Sequence, residues 1–167
     1  MTHTKSRRML TKVLSTFALV DRTLIVMTSG YSGTPLAAKL GIKSGQRVTL
    51  ISAPPKWAIP DLPANVRVSR RRISSLANVV VAFFDDAASL ERSIEELSSS
   101  ITTDGALWIA WPRRAAGHTS DITDNVIRSI ALPLGLVDVK VAAIDEDWSA
   151  LKVVWRKELR AGLGAKK

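Results

Sequence analysis

The sequence predicts an α/β domain, a three-layer sandwich with a mostly parallel sheet that ends in an antiparallel hairpin. Residues 77–84, ANVVVAFF, form a continuous apolar run typical of a central parallel strand covered on both faces. Over residues 86–99 the apolar period changes to three and four, which indicates an amphipathic helix. Residues 136–144 and 149–157 are apolar segments on either side of an acidic turn, DEDW, so we expect them to pair antiparallel.

The other predicted elements alternate along the chain as a doubly wound sheet requires. Strands are predicted at 47–52, 65–68 and 105–111, and helices at 35–40 and 121–130. Small polar residues favour helix N-termini because their oxygens accept a backbone N–H. The predicted caps are Thr34, then Asp85 or Asp86, then Thr119 or Ser120.

The chain length of 167 residues suits a single core. We predict a basic N-terminal extension over 1–26, flexible or preceding the true start at Met27; an α/β domain over 27–157; and a basic C-terminal tail over 158–167. Residues 1–26 hold five basic residues and one acidic residue, residues 152–167 hold six and one, and residues 27–151 hold thirteen of each. The basic ends leave open a weak, salt-sensitive interaction with nucleic acid, although solvated terminal charge is the simpler explanation.

The composition excludes some kinds of functional site and leaves few residues for others. The chain has no cysteine and two histidines, which excludes disulfides and thiolate chemistry and argues against any metal site. His118 is the histidine of the predicted domain, and it could act as a base with Asp121, although a loop histidine is more often simply exposed. The sequence predicts no catalytic set. The missing cysteines, an apolar N-terminal run too short to span a bilayer and the lack of a cleavage pattern favour a cytoplasmic protein.

The loop after the first strand departs from what a nucleotide-binding domain needs. Residues 47–57 read RVTLISAPPKW, with no glycine, and residues 54–63 contain four prolines. A glycine-rich turn lets the backbone approach a phosphate or cofactor closely, and consecutive prolines stiffen the chain against it. The loop is therefore either a lost cofactor site or a different kind of site.

Three long stretches resemble known proteins. SSSITTDGALWIAWPRR and LPLGLVDVKVAAIDEDWSALKVVWRK are similar to the later strands and closing hairpin of class I S-adenosylmethionine (SAM)-dependent methyltransferases. Together with SGYSGTPLAAKLGIKSGQRV, they resemble more closely a group of short bacterial proteins classed as a domain of unknown function. The resemblance covers nearly all of residues 28–157. It implies a methyltransferase-like Rossmann fold, and fold alone does not imply activity.

The chain differs from that family at two cofactor positions. The resemblance leads us to expect glycines after the first strand and an acidic residue after the second, where ribose hydroxyls bind. The sequence has Ser52 to Lys56 at the first position and Ser69 to Arg72 at the second. Arginines suit a phosphate better than a ribose diol. We therefore expect a degenerate cofactor loop and no cofactor, with SAM disfavoured.

Ligands of open parallel sheets gather beyond the carboxyl ends of the strands. The candidate ligand-binding residues there are Ser52, Lys56, Trp57, Arg70, Asp85, Trp111, Arg113 and Arg114. The leading hypothesis is a non-catalytic domain that binds a small anionic or aromatic ligand, or a protein partner, in this crevice. Three alternatives stay open: an active SAM-dependent methyltransferase with an unusual loop, a nucleic-acid accessory protein acting through its basic segments, and a crevice filled by its own tryptophans. The oligomeric state is not predicted.

Overall fold

The computed structural model describes residues 33–70 and 75–164. The chain divides into two units at Thr34 and Pro35, and the described helices and strands all belong to the second unit, Pro35–Lys167, which is compact. The predicted extension over 1–26, Arg71 and Arg72 lie outside the described residues.

Four helices and six strands make up the described part of the second unit. Their order is α1 (Leu36–Leu40), β1 (Arg47–Ile51), β2 (Arg67–Ser69), β3 (Ala77–Phe83), α2 (Ala87–Ser98), β4 (Ile101–Pro112), α3 (Asp124–Ala131), β5 (Leu136–Ala143), β6 (Trp148–Trp155) and α4 (Lys157–Gly164). Short 3-10 turns over Arg114–Ala116 and Leu132–Leu134 precede α3 and β5 respectively.

The sheet has the strand order β2-β1-β3-β4-β6-β5. Strands β2, β1, β3 and β4 are parallel, and β6 is antiparallel to both β4 and β5. The first four strands therefore end at one edge, here named the carboxyl edge. The β5–β6 turn lies at the same edge because Pro112 pairs with Trp148. The predicted α/β class, with a mostly parallel sheet and a C-terminal hairpin, is confirmed.

Each face of the sheet carries its own apolar core. One face, the α1 face, packs against Leu36 and Leu40 of α1 and Ile59 of the proline-rich loop. The other face packs against α2 and α3 through Leu90, Ile94 and Ile127, among others. Strand β4 serves both cores, since Trp108 is fully buried on the α1 face and Ile109 is fully buried on the other. The layers are thus helix and loop, sheet, and helices.

The helix ends differ in part from the predicted caps. Asp86 caps α2, as predicted, by accepting the Ser89 N–H at 2.8 Å. Pro35, and not Thr34, precedes α1, and it makes no side-chain cap. Thr123 caps α3 because the helix starts three residues later than predicted, and its Oγ1 accepts the Val126 N–H at 3.2 Å.

One C-terminal feature differs from the sequence interpretation. Most of the segment assigned to a basic tail over 158–167 is helical, in α4, and Leu163 of that helix packs against the core. Lys152, which we counted among the C-terminal basic charges, lies inside β6, within the strand predicted over 149–157. Throughout the part of the chain that is described, no helix has the length and apolar character needed to cross a membrane.

Arg128 connects α3 to β5 through carboxylates. Its Nε donates to Asp138 Oδ2 at 2.9 Å, and its Nη1 donates to Asp124 Oδ2 at 2.7 Å. The hydrogen bond from Arg128 lowers the pKa of Asp138, and the same bond raises the pKa of Arg128. A carboxyl group with a lowered folded-state pKa stabilises the fold above its unfolded-state pKa, about 3.9, and loses that contribution as the pH falls through the folded value.

We expect Arg128→Met to lower the Tm slightly at pH 7 and to flatten the fall in Tm between pH 5 and pH 2. The effect is small because the groups are partly exposed to solvent, which screens the pair. Arg47→Met is the control, since the Arg47 guanidinium donates to Ser75 and forms no ion pair within residues 33–70 and 75–164. Identical acid profiles for wild type and Arg128→Met would contradict the assignment.

Candidate functional site at the carboxyl edge

The carboxyl edge brings together the segments that follow four strands. Ile51 pairs with Ala82, and Phe83 pairs with Ala110, so the residues after β1, β3 and β4 lie side by side. Adjacent strands are about 4.8 Å apart, which places these segments within reach of one small ligand. The edge holds most of the predicted site residues, but they do not share one recess.

The turn after β1 is made by Ser52. This exposed residue has a φ of 54°, in the left-handed region that glycine usually occupies. The loop then folds tightly, since the Trp57 N–H donates to the Pro54 carbonyl at 2.9 Å. The turn that we expected glycines to make is therefore made by a serine, and its hydroxyl is exposed.

The predicted basic residues of this loop have different roles. Arg70 donates from Nη1 to the Pro54 carbonyl at 3.4 Å and from Nη2 to the Trp57 carbonyl, so it fastens the proline-rich loop to the end of β2. Lys56 lies exposed at the tip of the turn. Because Arg71 and Arg72 are outside the described residues, the nucleic-acid hypothesis stays a prediction.

A row of three aromatic rings fills the α1 face at this edge. The Trp57 and Phe83 ring centroids are 4.8 Å apart, and those of Phe83 and Trp148 are 5.0 Å apart, both edge-to-face. The half-buried Trp57 also donates from Nε1 to Asp145 Oδ2 at 2.6 Å. This contact joins the loop after β1 to the β5–β6 turn, so the indole of Trp57 has a packing role.

Trp111 lies on the opposite face of the sheet from Trp57. It is 8% exposed and packs in the core beneath α2 and α3. The prediction that both tryptophans and the arginines surround one crevice is therefore wrong, because Trp57 packs against one face of the sheet and Trp111 extends from the other. Trp111, Arg113 and Arg114 line a separate shallow recess of about 270 Å³.

The two arginines after β4 are engaged with backbone carbonyls. Arg113 donates from Nη1 to the carbonyls of Asp145 and Glu146, each at 3.1 Å. Arg114 donates from Nη2 to the Ser120 carbonyl at 3.2 Å. These bonds hold the β5–β6 turn and the loop before α3.

The adjacent aspartates after β3 differ in what they contact. Asp86 binds Ser89 through both backbone N–H and hydroxyl, and the backbone hydrogen bond lowers its pKa. Asp85 is exposed, and its carboxylate has no hydrogen-bond partner in the described structure. Asp85 therefore offers an acceptor after β3, the strand that pairs with β1.

His118 belongs to the same edge, although it is not among the predicted ligand-binding residues. Its Nε2 is 2.8 Å from Asp147 Oδ1, and both side chains are partly exposed. The predicted partner, Asp121, instead accepts the Ala87 N–H at 2.9 Å. The sequence contained one indication of this pair, because the loop with His118 follows β4 and the acidic turn follows β5, and both strands end at the carboxyl edge. No group of three or more metal-ligating side chains occurs in the residues described.

Comparisons with known proteins place this fold in a class. No family model matches the chain, and no curated protein sequence matches it. Among solved structures, a DhpI-SAH complex has a TM-score of 0.51 at 10% identity, over 84% of this chain and 91% of that chain. The magnesium protoporphyrin IX methyltransferase (ChlM) of Synechocystis PCC 6803, solved with bound SAM, has a TM-score of 0.48 at 10% identity, over 72% and 74%. The Methanococcus jannaschii fibrillarin pre-rRNA processing protein has a TM-score of 0.47 at 13% identity, over 76% and 71%. The chain has a methyltransferase-like Rossmann fold.

The expectation of no cofactor, with SAM disfavoured, is wrong. A protein that shares this fold was solved as a complex with S-adenosylhomocysteine, SAH. The steric reason for the expectation also fails, because Ser52 adopts the left-handed conformation and the turn after β1 forms without glycine. A non-glycine residue in this conformation costs roughly 1–2 kcal/mol, which a folded domain can absorb.

Proposed function

We propose that this protein binds a SAM-type nucleoside ligand at the carboxyl edge, between the Ser52 turn and Asp85. Two observations on neighbouring strands carry the proposal. Ser52 makes an exposed left-handed turn after β1, and after β3 the exposed Asp85 carboxylate has no partner in the described part of the chain. Open α/β sheets bind their ligands outside the carboxyl ends of the strands. Such a ligand carries an adenine ring, so it belongs to the small anionic or aromatic ligands predicted from the sequence.

The polar groups at this edge could bind such a ligand, but they follow different strands from those that the resemblance leads us to expect. The Asp85 carboxylate can accept hydrogen bonds from ribose hydroxyls or from an amino group, and the Ser52 hydroxyl can donate or accept. The end of β2 cannot supply the expected acidic residue, because Ser69 and Arg70 stand there and Arg70 holds the proline-rich loop. We infer that Asp85, one strand further along the sheet order from β1, takes the role of polar anchor.

Calorimetric titration with SAH tests the proposal. We expect Asp85→Asn to weaken binding about tenfold, because a hydrogen bond to a charged group is worth about 1.5–3 kcal/mol. Asp104→Asn is the matched control, since Asp104 is exposed near the start of β4, away from the carboxyl edge. If neither SAH nor SAM binds at millimolar concentration, the proposal is wrong.

A second variant addresses the turn. Ser52→Gly should raise the free energy of unfolding by up to about 1 kcal/mol, since glycine adopts a positive φ without steric cost. It should leave SAH affinity equal or tighter, because glycine opens the backbone to the ligand. Weaker SAH binding by Ser52→Gly, with the fold intact, would show that the serine hydroxyl itself makes a contact.

Methyl transfer is the second candidate function, and the His118–Asp147 pair favours it. Bound SAM would supply the methyl group. His118 could accept the proton of an attacking hydroxyl or amine while Asp147 holds the imidazole. SAH release from SAM in the presence of cell extract as acceptor, lost in His118→Gln with SAH binding unchanged, would support transfer. Equal release by His118→Gln would exclude the base role.

A further inference from the structure

A row of side chains crosses the α1 face of the sheet at mid-height. Trp108 of β4 pairs with Lys152 of β6, and Lys152 pairs with Lys140 of β5. Side chains in register on neighbouring strands extend from the same face about 5 Å apart. Two lysines are therefore direct cross-strand neighbours, an arrangement that is destabilising unless an anion offsets it.

A third ammonium group approaches from the segment after α1. Burial is the main cause that lowers the pKa of Lys152, and the charges of Lys140 and Lys43 lower it further. Lys43 is therefore close enough to Lys152 for their charges to interact. Gly41 lies directly above, since a Cβ at this position would be 3.7 Å from Lys152 Nζ. We name Lys43, Lys140 and Lys152 the lysine cluster.

The lysine cluster has no carboxylate counter-ion in residues 33–70 or 75–164. Asp138, on the same strand as Lys140, is already bound to Arg128 at 2.9 Å. Lys140 Nζ instead lies 5.7 Å from the centroid of the buried Trp108 ring, a cation–π contact that holds it over the sheet. The arrangement thus concentrates positive charge around Lys152, which is half-buried.

We propose that the lysine cluster is a binding site for a phosphate group carried by a small molecule. Lysine ammonium groups bind phosphate as point charges, and three on one patch can surround a single phosphate or diphosphate. A nucleic-acid backbone would require a longer basic stripe, whereas this patch spans two strands and one loop. Lys152 lies four residues along β6 from Trp148, about 13 Å from the carboxyl edge, so the site is separate from that of the proposed nucleoside ligand.

Thermal unfolding with inorganic phosphate and pyrophosphate, each matched to potassium chloride at equal ionic strength, tests the proposal. We expect pyrophosphate to raise the Tm of the wild type. We expect its affinity for Lys140→Gln and for Lys152→Met to be at least about tenfold lower than its affinity for the wild type. Lys157→Gln is the control, because Lys157 is exposed on α4 and outside the cluster. Without phosphate, Lys152→Met should be at least as stable as the wild type, since a partly buried charge and its repulsion are removed.

The outcomes separate this proposal from its alternatives. If phosphate and pyrophosphate stabilise the protein no more than chloride does, the proposal is overturned. It is also overturned if the effect is equal in wild type and both cluster variants. A short single-stranded RNA that stabilises the protein while pyrophosphate does not would assign the lysines to a nucleic-acid backbone instead. Because Lys140→Gln alters an exposed side chain, its result can be read even if Lys152→Met fails to fold.

Discussion

Phe83→Ala is expected to lower the free energy of unfolding by about 3–5 kcal/mol, the usual cost of removing a buried aromatic ring. Phe83 is 3% exposed at the end of β3 and packs edge-to-face against Trp57 on one side and Trp148 on the other. Aromatic pairs of this geometry add roughly 0.5–1.5 kcal/mol beyond the buried area. Chemical denaturation followed by circular dichroism measures the loss.

Two comparisons make the Phe83 result specific. Phe83→Leu keeps most of the volume and should cost less than about 1.5 kcal/mol. Val68→Ala, at a position 43% exposed on the outer strand β2, should change stability by no more than about 0.5 kcal/mol. The near-UV signal of Trp57 and Trp148 should weaken in Phe83→Ala and stay unchanged in Val68→Ala. A loss below about 1 kcal/mol would mean that the aromatic row does not support the carboxyl edge.

Gly105→Ala is expected to cost about 1–3 kcal/mol, the usual range for overpacking a core. Between Ile101 and Ala106, β4 bulges, because Ala77 pairs with Ile101 while Val79 pairs with Ala106. A Cβ on Gly105 would lie 2.8 Å from Thr102 Oγ1, 2.9 Å from the Asn78 carbonyl oxygen and 3.0 Å from that of Thr102. Two of these contacts are with backbone atoms, which cannot move away cheaply.

Gly162→Ala is the matched control for Gly105→Ala. Gly162 lies inside α4 with nothing within 4 Å of its Cβ position, so alanine there should stabilise the helix by up to about 1 kcal/mol. Thr102→Val tests the buried hydroxyl by itself. Thr102 Oγ1 is buried without a hydrogen-bond partner among the described residues, so this variant should be neutral or stabilising. Equal stability of Gly105→Ala and Gly162→Ala would show that the bulge can open.

The proposed nucleoside site and the lysine cluster are distinguishable by experiment. Asp85→Asn should weaken SAH binding and leave the Tm increase with pyrophosphate unchanged. Lys140→Gln should reduce the Tm increase with pyrophosphate and leave SAH binding unchanged. The distance between them, about 13 Å along β6, makes independent binding the expected result, since sites that share no partner groups usually act additively.

The sequence by itself determined the elements whose apolar pattern is long and regular. Strand β3 and helix α2 are where their periods predict them, and the hairpin of β5 and β6 forms across the acidic turn. These assignments depend on local periodicity and on the burial that each period implies. Helix caps were harder to predict, since Thr123 competes with Thr119 and Ser120 in one polar loop and all three could accept a backbone N–H.

Only the tertiary structure decided how the site residues are grouped. Trp57 and Trp111 lie at the same edge but pack into different cores. Trp111 belongs to β4, whose side chains alternate between the two cores, and Trp57 belongs to the loop after β1. The φ of 54° at Ser52 depends on the conformation of its whole loop, and the His118–Asp147 pair joins residues 29 positions apart in the chain. Lys140 and Lys152 are close in the sequence, but the register of their strands is set by a bulge between Asp138 and Lys140, which decides that Lys140 pairs with Lys152. Strand register and loop conformation come from the packing of the whole domain, and no local pattern in the sequence encodes them.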